Sequence, residues 1–208
     1  MKKPRYLLKR TKFAVIFSPL PIIFGILLLI LASSLVAFSL WADSFQVDED
    51  LLPMAENMPV FYDVNGNKMD YISDNYISPD SIPTNLKNAF VALEDKRFYS
   101  HSGYDPYRIV GAVVRNIKSG GAVEGASTIT QQLVKNTHLT FEKTITRKLK
   151  EIALATKIEE KYSKDEIFSM YLSVIYFGGG AYGIKSASKL YFDKAVEALT
   201  LSECATLA

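Results

Sequence analysis

A long uncharged stretch near the start of the chain gives way to shorter, periodic patterns. From Phe13 to Ala42 no residue carries a charge, and Ile22 to Trp41 is almost unbroken apolar sequence. About 20 apolar residues cross the hydrocarbon core of a bilayer, so this stretch predicts a single membrane-spanning helix. Pro19 and Pro21 precede the run, where a helix start tolerates proline, and Trp41 suits the far interface. Further on, Val60–Asp63 and Lys68–Ile72 flank Asn65-Gly66, a type I′ turn signal. A small hairpin near the membrane is expected there. Ser78 to Thr84, with Pro79 and Pro83, reads as a loop.

Beyond Asn85 the period becomes helical. Leu86, Phe90 and Leu93 share one face of a helix ending near Glu94. Asp105-Pro106 pairs a capping residue with a proline at the first helical position. Ile109, Val113 and Ile117 then recur every four residues until Gly120-Gly121. Ser127 is placed to cap a helix running through Leu133. A long helix from about Thr144 to Lys161 is expected to bury Ile145, Leu149, Ile152 and Thr156. Ser163-Lys-Asp-Glu166 is a capping box, and Gly178-Gly-Gly180 closes the helix it opens. The expected architecture is mainly α, with one N-terminal transmembrane helix and a small β element. The segments are residues 1–12 (tail), 13–42 (anchor), 43–59 (connector) and 60–208 (folded domain).

Charge orients the anchor. Lys2, Lys3, Arg5, Lys9, Arg10 and Lys12 precede it with no acid among them. Short basic flanks stay in the cytoplasm, so everything after Asp43 is expected outside, on a single-pass protein of the cell membrane. A cleaved signal peptide is the competing reading, but the run is too long for an ordinary one and no clean A-x-A site follows. All 22 acids lie beyond residue 12, against 24 basic residues in the whole chain. The remainder is therefore mildly acidic and carries no nucleic-acid signal. One cysteine, Cys204, excludes an intramolecular disulfide. Two separated histidines argue against a zinc site built on histidine.

Four clusters carry candidate chemistry. In the first, Glu94-Asp95 leaves a helix and enters a loop holding Phe98, His101, Gly103 and Asp105. A carboxylate beside an apolar helix end is placed to act as a base, although read alone it is as easily a solvated acid. In the second, Gly125-Ala-Ser127-Thr128-Ile-Thr-Gln131-Gln132-Leu-Val-Lys135-Asn136 presents hydroxyls and amides followed by a cation. Ser127 and Thr128 sit at a helix N-terminus, which favours anions; a polar cap with a solvated face is the plainer reading. In the third, Lys143, Arg147 and Glu151 are spaced by four and share a helix face. They suit a diphosphate, with or without a divalent metal, or form a salt-bridge ladder. The fourth, Tyr171-Leu-Ser173 through Tyr176-Phe177-Gly178 to Tyr182-Gly183-Ile184, looks structural. It is no P-loop, because no Gly-Lys-Ser/Thr follows the glycines.

In this order, the clusters resemble the glycosyltransferase domain (glycosyltransferase family 51) of class A penicillin-binding proteins and monofunctional peptidoglycan glycosyltransferases. Glu94-Asp95…Phe98…His101…Gly103…Asp105 matches the first family motif, and Gly125…Ser127-Thr-Ile-Thr-Gln-Gln132…Lys135-Asn136 the second. Arg147-Lys148…Glu151 matches the third, and Tyr171-Leu172 with Tyr176-Phe177-Gly178…Tyr182-Gly183-Ile184 the fourth and its continuation. The resemblance covers roughly Val60 to Ala208.

The resemblance implies a lysozyme-like fold and an enzyme that polymerises lipid II outside the cytoplasmic membrane, inverting the donor anomeric carbon and releasing undecaprenyl diphosphate. Glu94 would take the proton of the acceptor hydroxyl. Lys135, Arg147 and Lys148, with Lys143, would stabilise the leaving diphosphate. Glu151 would be a second essential carboxylate, positioning the diphosphate or a divalent metal such as Mg2+. Asp95, His101, Ser127, Thr128, Gln131, Gln132 and Asn136 complete the substrate-binding set. Lipid II, the growing glycan strand and the bilayer are the implied partners, with room for other cell-wall synthesis proteins.

The chain departs from the family pattern at Gly111, where Arg is common and Arg115 lies one turn on. It departs again at Ser169 and Ser173, which stand for Glu and Asn. It also stops at Ala208, before the last helices and an Arg-containing fifth motif. A catalytically weak, membrane-anchored lipid II-binding or divisome scaffold is the alternative these departures suggest. A lytic glycosidase is a third reading, which the diphosphate-type cations oppose.

Overall fold

The computed structural model describes residues 19–54, 63–67, 75–120, 125–140, 142 and 144–208. The chain divides into two units, one ending at Ser44 and one running from Phe45 to Ala208. The first contains α1 (Pro19–Asp43), 25 residues with no buried side chain. Its mean hydropathy reaches 2.7, making it long and apolar enough to cross a membrane.

The second unit is helical: α2 (Thr84–Leu93), α3 (Pro106–Ser119), α4 (Ile129–Thr137), α5 (Ile145–Lys161), α6 (Lys164–Val174), α7 (Ile184–Phe192) and α8 (Leu201–Leu207). Helix α4 packs against α5 and α6, α7 against α6, and α8 against α2. Two local start signals hold as expected. Asp105 caps α3, accepting the Arg108 N–H with Pro106 behind it, and Ser163 forms its capping box with Glu166. The core is aromatic at its centre. Phe90 of α2 meets Phe168, Tyr171 and Phe177 edge-on at 6.0–6.2 Å, a geometry that adds about 0.5–1.5 kcal/mol per pair beyond burial.

Several expectations change. The turn at Asn65-Gly66 is not type I′. Gly66 has φ +81° while Asn65 stays in ordinary φ space, and the Gly66 N–H bonds the Asp63 carbonyl. Asp63 Oδ1 takes the N–H groups of Asn65 and Asn67, both at 2.8 Å, so the aspartate side chain builds the turn. Of the hairpin arms expected at Val60–Asp63 and Lys68–Ile72, all but Asp63 lies outside the described residues. Among the described residues there is no strand, just isolated bridges at Ser102–Tyr104 and Tyr176–Tyr182.

Helix α5 buries a different face from the one expected. Ile145 and Leu149 are exposed and Ile152 and Thr156 half-buried, while Glu151, Leu154, Ala155 and Ile158 are buried. Periodicity identified residues sharing a face but not the face that meets α4. On α3, Val113 and Ile117 are likewise exposed, and Ala112 is the buried residue. Helix α6 ends at Val174, ahead of Gly178.

The stretch after Ser44 is fastened to α5. Lys157 Nζ donates to the Phe45 carbonyl at 2.5 Å, Lys161 pairs with Glu49, and Leu52 is buried. His138, just past α4, meets the Asp48 carbonyl at 3.0 Å.

Candidate active site

Glu94 continues the spacing of Leu86 and Phe90, so it stands where the buried stripe of α2 runs out. It is the C-cap of that helix, its N–H on the Phe90 carbonyl at 2.7 Å. Its side chain is half-buried, and Oε2 accepts from Gln132 Nε2 at 2.7 Å. Tyr171 stands near enough that burial, and then the Glu94 charge, push its hydroxyl far above the usual range. Arg108 Nη1 donates to the Glu94 carbonyl, fixing the backbone at this point.

Asp95 turns the other way and is fully buried. Its Oδ2 pairs with His101 Nε2 at 2.9 Å and accepts the Ile129 N–H at 3.1 Å. Oδ1 lies 3.9 Å from Arg108 Nη1. The Ile129 N–H at the N-terminus of α4 is therefore taken by the protein's own carboxylate. The cap is Thr128 rather than Ser127. Its hydroxyl accepts the Gln131 N–H while Gln131 Oε1 accepts the Thr128 N–H, a reciprocal box. Thr128 Oγ1 also donates to the Gly103 carbonyl at 2.6 Å. Gly103 has φ +88°, and a Cβ there would sit 2.7 Å from the Thr156 nitrogen, so no larger residue fits against α5. Asp95, His101, Thr128 and Gln131, expected to bind substrate, are thus interior residues that shape the site. The motif spacing that marks them as essential does not distinguish framework from contact.

Asp105 holds the other end of this loop. Burial works against its charge, but the bonds from Arg97 and the Arg108 N–H outweigh it and hold the carboxyl below its usual range.

The cations gather around Glu151, whose side chain is 2% exposed. Arg147 Nη1 donates to Oε2 at 2.6 Å and Lys148 Nζ to Oε1. Lys148 also reaches Ser127 Oγ at 2.6 Å, tying the start of α4 to α5. Lys135 and Asn136 are exposed on the last turn of α4. Lys143 lies outside the described residues. Among the described residues no three Asp, Glu, His or Cys converge, and both oxygens of Glu151 carry cations.

The departures from the family pattern acquire explanations. The Arg115 guanidinium folds back over Gly111, 3.3 Å from where a Cβ would stand. Ser169 donates to the Ile77 carbonyl, and Ser173 Oγ takes the Ile77 N–H at 3.2 Å, so the two serines brace a backbone segment. Sequence reasoning missed Arg108, and nothing local marks it. It also missed Glu159, which takes the Thr130 hydroxyl and pairs with Lys164.

The chain is similar in sequence to known proteins. Penicillin-binding protein 1F of Bacillus subtilis (strain 168) is 53% identical over 132 residues, covering 64% of this chain and 18% of the relative. Penicillin-binding protein 1A of Aquifex aeolicus (strain VF5) is 51% identical over 133 residues, 64% and 18%. Penicillin-binding protein 1A of Clostridium perfringens (strain 13 / Type A) is 42% identical over 195 residues, 88% and 29%. The chain thus spans less than a third of each relative's length. A family model described as Transglycosylase matches residues 64–208, the segment that holds all four motifs, and the chain belongs to that family.

Proposed function

We propose that this chain carries the glycosyl-transfer site of an enzyme that polymerises lipid II into glycan strands. The observation that supports it best is the division of charge around α4. A half-buried carboxylate, Glu94, is held by an amide at one side, while Arg147 and Lys148 are gathered on a buried carboxylate at the other. Chemistry that removes a proton at one end of a bond and develops negative charge at the other needs this arrangement. Glu94 takes the proton from the acceptor 4-hydroxyl, and that oxygen attacks the donor anomeric carbon. Arg147, Lys148 and Lys135 neutralise the leaving diphosphate. Attack opposite the leaving group inverts the configuration. The full-length protein, given lipid II in detergent, should yield glycan strands resolved by size on a gel, with β-linkages by NMR. Absence of polymer, with lipid II still bound, would favour the scaffold reading instead.

The polyprenyl tail of that substrate stays in the bilayer, and two features suit this. Helix α1 carries no charge before Asp43, and α3 exposes Tyr107, Val110, Val113, Val114 and Ile117. We read the second as a face that lies against lipid. Environment-sensitive fluorophores on cysteines introduced at Val113 and Asn65 should separate: blue-shifted emission in vesicles at the first, water-like emission at the second. The Asn65 site should also react with an impermeant thiol reagent in intact cells. Labelling at Asn65 restricted to broken cells would reverse the topology.

A further inference from the structure

Helix α4 grips the end of α2 at two points one turn apart. At its first residue the Ile129 N–H donates to Asp95 Oδ2. Three residues on, Gln132 Nε2 donates to Glu94 Oε2. A free backbone N–H of the first turn and a side-chain amide three residues on thus hold two consecutive carboxylates. The first contact is deeply buried and braced by His101 and by the Thr128–Gln131 box. The register of α4 is therefore set by bonds that do not involve Gln132, and its amide is delivered to Glu94 from a fixed frame. The adjacent glutamines divide their work: Gln131 is buried and closes the helix start, whereas Gln132 is half-buried and faces the carboxylate.

A glutamate at a helix end has three rotatable bonds, and an unrestrained carboxylate there samples several rotamers. A bond from an amide N–H selects one of them. It takes Oε2 and leaves Oε1 for the proton. We propose that Gln132 is a positioning residue that aims the Glu94 carboxylate at the acceptor hydroxyl, rather than a groove residue that binds the saccharide. The inference rests on the reading of Glu94 as the base.

The test is steady-state kinetics of the full-length protein on lipid II. Gln132→Met keeps the side-chain volume and removes the amide. It should lower kcat about ten- to a hundredfold, the size of one hydrogen bond to a charged group, with KM within about twofold. On a Glu94→Gln background the same change should lower the residual rate by less than about twofold, because no base is left to aim. Gln132→Asn keeps an amide one carbon too short; it should show the same kcat loss and serves as the second variant if Gln132→Met melts early. A raised KM at unchanged kcat overturns the inference, as does a loss that carries over undiminished onto Glu94→Gln. Full activity of Gln132→Met beside an inactive Glu94→Gln removes this inference alone. Full activity of Glu94→Gln removes the base itself, and the proposed mechanism with it.

Discussion

Glu94→Gln is expected to lower kcat for lipid II polymerisation by about 10²–10⁴-fold, the usual contribution of a general base, while KM and folding stay near wild type. The amide is isosteric with the carboxylate, so the C-cap bond to Phe90 and the Arg108 contact, both made by the backbone of residue 94, are untouched. What disappears is the capacity to take a proton. Asp95→Asn should behave differently. Asp95 is sealed between His101 and the Ile129 N–H, with Arg108 alongside, so its loss of charge should appear first in the melting temperature. Turnover close to wild type in Glu94→Gln would move the base to another group, and Glu151 is the motif carboxylate that stands among the cations. Its two ion pairs make it a poor candidate.

Glu151→Gln is expected to disturb both stability and donor binding. Glu151 is almost wholly buried, whereas Arg147 and Lys148 are 19% and 36% exposed on their side chains. Removing one partner of a fully buried ion pair costs about 3–5 kcal/mol, because the other charge is left uncompensated. Both cations here can turn partly to water, which places the loss near about 3 kcal/mol. For a domain of this size that is a fall of about 6–12 °C in melting temperature. With Glu151 neutral, Arg147 and Lys148 repel one another, Lys148 loses its fixed path to Ser127, and KM for lipid II should rise. Near-UV circular dichroism on heating, with KM measured below the transition, reads both effects. An unchanged melting temperature would reduce Glu151 to a surface ladder partner, and an unchanged KM would separate the cations from the diphosphate.

The sequence by itself determined what is local. Ser-x-x-Glu and Asp-Pro start helices because the capping atoms lie within three residues of the groups they satisfy, although the cap of α4 falls on Thr128, one residue beyond the Ser127 expected. The apolar run ending at Trp41 is a membrane-length helix by composition alone. The order and spacing of the four motifs identified the family and named Glu94, Gln132, Arg147, Lys148 and Glu151.

The tertiary structure decided where those residues point. Periodicity placed Ile145 and Leu149 on one face of α5 and Arg147 and Glu151 on another, but the buried face is the one that meets α4, and it carries a carboxylate. At the helix end that Ser127 and Thr128 mark in the sequence as favouring an anion, the Ile129 N–H meets Asp95, 34 residues before it. The bond that holds Glu94 comes from Gln132, 38 residues on. Such contacts depend on which helices pack together. A helical pattern reports the angle between residues on one element and carries no information about the partner across the interface.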